Sequence, residues 1–313
     1  MEAYFDNAAT TKVFPEVKDL VVKLMEEDYG NPSSLHQKGL DAGHYIKETK
    51  EILAKEWKVD SKEIVLTSGG TESNNLALIG AALANKRSGN RIITSKVEHA
   101  SVSSTMAFLE SLGFEVVYLN VDHQGIVDLE QLEQEVNEDT ILVSVMYVNN
   151  EIGAVEPIQK IAEIIKEKNP KTLFHVDAIQ AFGKYQIYPK RMGIDLMSVS
   201  GHKIHGPKGT GALFIKNRTK VKPIIYGGGQ QDGMRSGTEN VPGFAGFGLA
   251  TKIVYEDLEA RIVRMRAVKD RLTERLKALP DVYINEGEAP HILSVSFVGV
   301  RSEVMLHALE ERQ

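Results

Sequence analysis

The 313-residue chain contains no cysteine. That excludes disulfides, thiolate metal sites and cysteine nucleophiles within these residues. A basic block is also missing: 37 Lys and Arg stand against 43 Asp and Glu, a net charge of −6, so nucleic acid is not expected as a main partner. No apolar stretch approaches the roughly 18 residues of a membrane span, and no membrane association is expected. The first residues, MEAYFDNAATT, lack the charged and apolar regions of a signal peptide, which makes the cytoplasm the expected compartment. Without such a signal the sequon Asn217-Arg218-Thr219 carries no meaning. Repeats and low-complexity segments are absent too. What remains is an ordinary globular composition, 42% apolar and 26% charged, long enough for a large core and two domains.

Ala3 to Phe5 reads as a short strand, with Asp6-Asn7 as the turn after it. Tyr29-Gly30-Asn31-Pro32-Ser33-Ser34 is a turn holding two candidate N-cap serines. Ala42, Tyr45, Ile46, Thr49, Ile52, Leu53 and Trp57 then recur at helical steps. From Glu63 onward, strand and helix alternate. Strands are predicted at Glu63–Thr67, Arg91–Ser95, Glu115–Asn120, Ile141–Val148, Thr172–Val176, Asp195–Ser200 and Gly211–Ile215. Helices are predicted at Glu72–Lys86, Ser101–Leu112, Leu129–Asn137 and Pro157–Lys168, with one long charged helix near Ala245–Leu279. Such alternation argues an α/β fold with a mostly parallel sheet. Past the long helix, His291–Phe297 alternates like a half-exposed strand, and Ser302 is placed to cap a last helix ending at Gln313.

In open α/β sheets ligands bind beyond the carboxyl ends of the strands, so the residues just after each strand matter most. Thr67-Ser68-Gly69-Gly70-Thr71-Glu72 turns through two glycines into a helix, a phosphate cradle in outline. The P-loop pattern is absent, since Pro207 stands where its lysine must follow the Gly201–Gly206 spacing. Val97-Glu98-His99 places an imidazole at a strand end; capping is its ordinary role, and stacking on a planar cofactor its functional one. Asn149-Asn150-Glu151 offers amides that can bond a phenolic or carbonyl oxygen, or simply makes a turn. In His175-Val176-Asp177-Ala178-Ile179-Gln180 a carboxylate closes an apolar strand and needs a cationic partner, either a basic side chain or a protonated pyridine nitrogen. Last comes Ser198–Gly209, SVSGHKIHGPKG, in which Lys203 stands at a sheet mouth with little side-chain bulk around it. There its amine can form a Schiff base with pyridoxal 5′-phosphate (PLP). Each feature alone is ordinary; their order along the strand ends is specific.

The segments YFDNAATT, YGNPSSLH, TSGGTESNN, VEHASV, VNNEIG, HVDAIQ, SGHKIHGPKG and GGGQQDGMRSGTEN resemble those of the cysteine desulfurases of the NifS and IscS type, class-V aminotransferases of PLP fold type I. The resemblance runs in register over nearly the whole chain. It implies a mostly parallel seven-stranded sheet with helices on both faces, in a large PLP-binding domain at 16–248. A smaller α+β domain would comprise 1–15 and 249–313. It further implies that Lys203 binds PLP covalently, that His99 stacks on the ring and shuttles protons, and that Asp177 pairs with the ring nitrogen. Asn150 and Gln180 would bond ring substituents. Gly70, Thr71, Ser200, Gly201 and His202 would surround the phosphate, Thr238 would reach the phosphate of the neighbouring subunit in a homodimer, and Asn31 would face the substrate carboxylate. The activity implied is removal of sulfur from L-cysteine, leaving L-alanine, with the sulfur carried as an enzyme persulfide to an iron–sulfur scaffold or tRNA-thiolation acceptor.

One departure stands out. In such enzymes the sulfur is taken by a cysteine on a loop soon after the helix that here reads Leu309-Glu310-Glu311-Arg312-Gln313, and a substrate-clamping arginine follows. With no cysteine present, the expectation is a desulfurase lacking its C-terminal part. The alternatives are another fold-type-I PLP enzyme, such as a selenocysteine lyase or an aminotransferase, or a non-catalytic PLP-binding scaffold. A metal site at His202 and His205 is not expected, because His-Lys-Ile-His lacks the spacing and ligand count of a zinc site.

Overall fold

The computed structural model describes residues 3–312. Its main sheet is built from β1 (Ile64–Thr67), β2 (Arg91–Ser95), β3 (Glu115–Leu119), β4 (Thr140–Met146), β5 (Leu173–Asp177), β6 (Leu196–Ser200) and β7 (Gly211–Ile215), in the order β1-β7-β6-β5-β4-β2-β3. The pairs β2–β3, β2–β4, β4–β5 and β5–β6 are parallel, while β7 runs antiparallel to both β1 and β6. The seven predicted strands therefore stand, with ends shifted by a residue or two.

Side-chain alternation divides each strand between two cores. Leu66, Ile93, Val143, Val145, Phe174, Val176, Val199 and Phe214 join one cluster, together with residues of α1 (Pro15–Glu26), α2 (Gln37–Trp57), α6 (Ile158–Lys168) and α7 (Val241–Glu256). Val65, Ile92, Leu142, Leu196 and Leu213 join the other, beneath α3 (Gly70–Asn85) and α4 (Ala100–Ser111). A short α5 (Leu129–Glu135) lies between β3 and β4 in the chain, its first turn capped by the Asp128 carboxylate. On α2 the buried positions Ala42, Ile46, Thr49, Leu53 and Trp57 form the stripe seen in the sequence. Thr49 Oγ1 donates to Phe244 O at 3.0 Å, tying that stripe to α7.

Several expectations need correction. The long charged helix is two, α7 and α8 (Leu258–Lys277), broken at Asp257, whose φ of −129° and ψ of 30° leave the helical region. The break falls where apolar α7 gives way to charged α8, whose only buried residue is Leu258. Ala3–Phe5 forms no strand, because the segment after it bonds singly to the His202–His205 turn rather than to a ladder. Neither Ser33 nor Ser34 caps α2; His36 is at that position, and the Asn31 carboxamide instead accepts from Ser33 N at 2.9 Å. Only Ser294–Phe297 of the last predicted strand is a strand (β9), paired antiparallel with an unanticipated β8, Val282–Asn285. Arg301, not Ser302, precedes the first turn of α9 (Ser302–Glu310). Among the described residues no helix is long and apolar enough to cross a membrane.

Candidate active site

The carboxyl ends of the parallel strands and the start of α3 enclose a cavity of about 480 Å³. At one end β1 turns into α3. Gly69 has φ of +149°, a conformation open to glycine, and a Cβ on Gly70 would lie 2.1 Å from Ile179 Cδ1. The first N–H groups of α3, from Gly70 and Thr71, have no partner among the described residues and with the helix dipole form an anion site. Ser200 and His202 approach from the end of β6. Burial, with the charges of Lys203, Lys208 and Lys184, pushes the His202 pKa down to about 4, so the ring is neutral near pH 7. Glu72 accepts from Ser68 N at 2.9 Å and binds Arg235 at 2.8 Å, which ties the RSGT segment to the base of α3. Although burial opposes it, Arg235 and the Ser68 donors hold the Glu72 carboxyl below its ordinary range.

Asp177 closes β5 in the middle of the cavity, 4% exposed. Its Oδ1 accepts from Ile179 N at 3.0 Å and its Oδ2 from Asn74 Nδ2 at 2.7 Å, and no cationic side chain of the described residues lies within salt-bridge reach. Burial raises its pKa, against the Ile179 and Asn74 hydrogen bonds and the charges of His99 and Lys203. Gln180 donates to Ala8 O at 2.9 Å and accepts at 3.2 Å from His291 Nε2.

Opposite, Lys203 ends the short turn Gly201–Lys203 that follows β6. Its Nζ donates to Ala8 O at 2.5 Å and Ala9 O at 2.8 Å. Burial lowers its pKa, while Asp6 and Asp177 push the other way. The N-terminal segment straps this turn down: Thr11 N reaches His202 O at 3.0 Å, His205 N reaches Thr11 Oγ1 at 2.7 Å, and Phe14 stacks on the His205 ring at 4.3 Å. These contacts hold His205 at φ of +64°, a costly conformation for a non-glycine residue. Beneath, the buried Lys184 donates to Lys203 O at 2.6 Å, and burial together with Lys203 lowers its own pKa to about 7.

One cavity thus unites Gly70, Thr71, His99, Asn150, Asp177, Gln180, Ser200, His202 and Lys203. Gly201 sits behind it, where a Cβ would come 2.3 Å from Thr210 Oγ1. Asn31 and Thr238 are exposed and lie outside it. The sequence reading missed Asp6, Ala8, Ala9 and Ser101 in the lining, and Asn74 and Lys184 behind it. The DNAA of YFDNAATT was the available signal for the first three. A larger cleft of about 1020 Å³, beside Glu156 and Glu286–Glu288, is lined by none of the candidate site residues singled out in the sequence. An anion site, a buried carboxylate lacking a cation and an amine across one cavity fit a phosphorylated pyridine aldehyde.

The family profile for aminotransferase class-V matches residues 3–313. The chain is 43% identical over 311 residues to a cysteine desulfurase IscS of Dictyoglomus turgidum, covering 98% of this chain and 78% of that one. Among solved structures, a NifS-like protein superposes with a TM-score of 0.97 at 40% identity, covering all of this chain and 86% of its own. A structure described as SspA in complex with cysteine gives 0.85 at 33% identity, covering 100% and 87%. The chain belongs to the class-V aminotransferase family and, within it, to the cysteine desulfurases of the IscS and NifS type.

Proposed function

We propose that this chain holds PLP in the cavity between Asp177 and Lys203 and removes sulfur from L-cysteine, leaving L-alanine. The observation that carries this reading is Asp177, a buried carboxylate without a cationic side chain, facing the same cavity as a lysine amine. When bound, PLP supplies an electron sink for charge developing at the substrate Cα. Asp177 would keep a proton on the ring nitrogen, Asn150 and Gln180 would orient the ring substituents, and His99 would cover one ring face. The N–H groups of Gly70 and Thr71 would hold the phosphate, with Ser200 and His202 beside it and Gly201 keeping the turn tight. Lys203 is the amine that would hold PLP covalently; the free amine has the Ala8 and Ala9 carbonyls to hold it and could carry the Cα proton on Nζ.

Support for L-cysteine as substrate comes from the IscS-type relatives and from the SspA structure, which is described as a complex with cysteine. Since these 313 residues contain no thiol, the sulfur leaves to a thiol outside them; the resemblance implies an enzyme persulfide on a cysteine beyond these residues, which is then passed to an iron–sulfur scaffold or another acceptor protein. Thr238 and Asn31 are read as completing the site in a homodimer, Thr238 at the neighbouring phosphate and Asn31 toward the substrate carboxylate. The Arg235–Glu72 tie holds the Thr238 segment near the rim, and exposed Leu35 and Tyr226, at 94% and 77%, suit burial against a second copy. Residues 16–248 are read as the large domain, and 1–15 with 249–313 as the small one.

The test is an absorbance spectrum of the PLP-loaded protein before and after borohydride reduction, then reaction with L-cysteine and an added small thiol. Alanine and sulfide in equal amounts are expected. Amine transfer to a 2-oxo acid without sulfide would instead make it an aminotransferase, and absence of a visible band would end the PLP reading.

A further inference from the structure

Behind the cavity a chain of hydrogen bonds joins Asp177 to His99 through two residues that the resemblance did not single out. Asp177 Oδ2, an acceptor when ionised, takes one hydrogen of the Asn74 amide at 2.7 Å, which settles the end of that amide bearing nitrogen. The other hydrogen of the same Nδ2 goes to Ser101 Oγ at 2.9 Å. Asn74 is fully buried and Ser101 is 7% exposed. Having accepted from Asn74, the Ser101 hydroxyl has its own hydrogen to give, and His99 Nδ1 lies 2.9 Å away. Ser101 N, in the first turn of α4, donates to the same Nδ1 at 3.1 Å, so that His99 caps its own helix. Two donors therefore converge on one ring nitrogen.

We infer that Asn74 and Ser101 are positioning residues that fix the His99 ring with its hydrogen on Nε2 and its Nδ1 lone pair committed to Ser101. The Ser101 backbone N–H can only donate, which makes Nδ1 an acceptor whatever the charge on Asp177; with Asp177 ionised, the amide and hydroxyl of the relay donate in the same direction. Nε2–H is left as the free polar group of the ring, with no partner among the described residues. His99 then covers the cofactor and donates a hydrogen bond, but has no lone pair free to take a proton from substrate. That task falls to Lys203. This consequence rests on the proposed function; the tautomer itself does not.

The experiment is long-range proton–nitrogen NMR on protein labelled with 15N-histidine, first without PLP and then with it, with His99→Asn used to assign the signal. In the wild type, His99 should show a pyridine-type Nδ1 and a pyrrole-type Nε2 in both states. Ser101→Ala should lower the ratio of this tautomer to its alternative about fivefold, the equivalent of one net hydrogen bond of about 1 kcal/mol, and Ser101→Thr should restore it. A hydrogen on Nδ1 in the wild type, or an unchanged ratio in Ser101→Ala, would overturn the relay. The wild-type spectrum decides even if the variant does not fold. A protein with the expected tautomer that takes up no PLP would instead refute the functional reading and leave the relay standing.

Discussion

The sheet between residues 64 and 215 and the segment from 258 to 312 are two different kinds of structure. In β1, β4 and β6 every residue is buried, and the functional side chains project from the ends of strands packed on both faces. In the later segment β8 and β9 are half exposed, α8 buries only Leu258, and α9 buries nothing. Its main holds on the rest are Ala289 and Ile292, 0% and 5% exposed, and the hydrogen bond from His291 to Gln180. The contrast teaches where precision is stored. A site needing an amine, a carboxylate and an anion cradle in fixed relation is built on the part of the chain with least freedom to move.

The sharpest way to break that comparison is at the amine. Lys203→Ala should abolish borohydride-fixable PLP altogether while leaving the far-UV dichroism intact, since among the described residues Lys203 makes its side-chain bonds only to the Ala8 and Ala9 carbonyls. Covalently retained PLP would show that another lysine does this work. Next in size is Phe174→Ala in β5, fully buried and three residues before Asp177. A loss of about 3–5 kcal/mol in denaturant unfolding is expected from the cavity it leaves, and PLP binding should weaken with it. A loss under about 1 kcal/mol would mean that this sheet is far less tightly packed than its burial states.

The same contrast explains how much could be read in advance. Buried strands show as apolar runs and their helices as three- and four-residue steps, so the seven strands and the order of site residues were legible from local pattern. The half-exposed part was not: Val282–Asn285 is a run of only four residues, too short to show a period, and the α7–α8 break depends on Asp257 leaving helical geometry. In the site, strand-end residues could be found because topology sends them to one place. Ala8 and Ala9 contribute carbonyls, which every residue has, and Asn74 acts from inside a helix through an amide. No side-chain chemistry marks such roles in a sequence.

Two smaller perturbations probe charge in the packed region. Asp177→Asn should still bind PLP through the phosphate and Lys203, yet lower alanine formation roughly a hundredfold to a thousandfold, the usual cost of removing one preorganised charge. An undiminished rate would remove Asp177 from the chemistry. Glu98 tests chiefly burial. Its Oε1 accepts from Ser95 Oγ at 2.7 Å and Met146 N at 2.9 Å, its Oε2 has no partner among the described residues, and burial, with the charges of Asp177 and Glu156, pushes its pKa from 4.5 to about 8. Because the folded form keeps this proton where the unfolded form loses it, Glu98 makes stability fall as pH rises from 4.5 to about 8. Glu98→Gln should flatten that decline in thermal midpoint. Part of the slope should survive, because burial also raises Glu156 to about 7. A slope as steep as in the wild type would place the titration elsewhere.

The smallest effect is expected at the other end of the comparison. Leu306 in α9 is 57% exposed, and that helix has no buried residue. An exposed leucine contributes little, so Leu306→Ala should change unfolding free energy by no more than about 0.5 kcal/mol. The result matters because α9 also exposes Val304 and Leu309, at 61% and 63%, Leu309 on the same face as Leu306 and Val304 on another. If the substitution instead costs about 2 kcal/mol or more, in a way that depends on protein concentration, then α9 is covered in solution by a second copy. The segment from 258 to 312 would then be as firmly packed as the sheet, and its apparent looseness a property of the single chain.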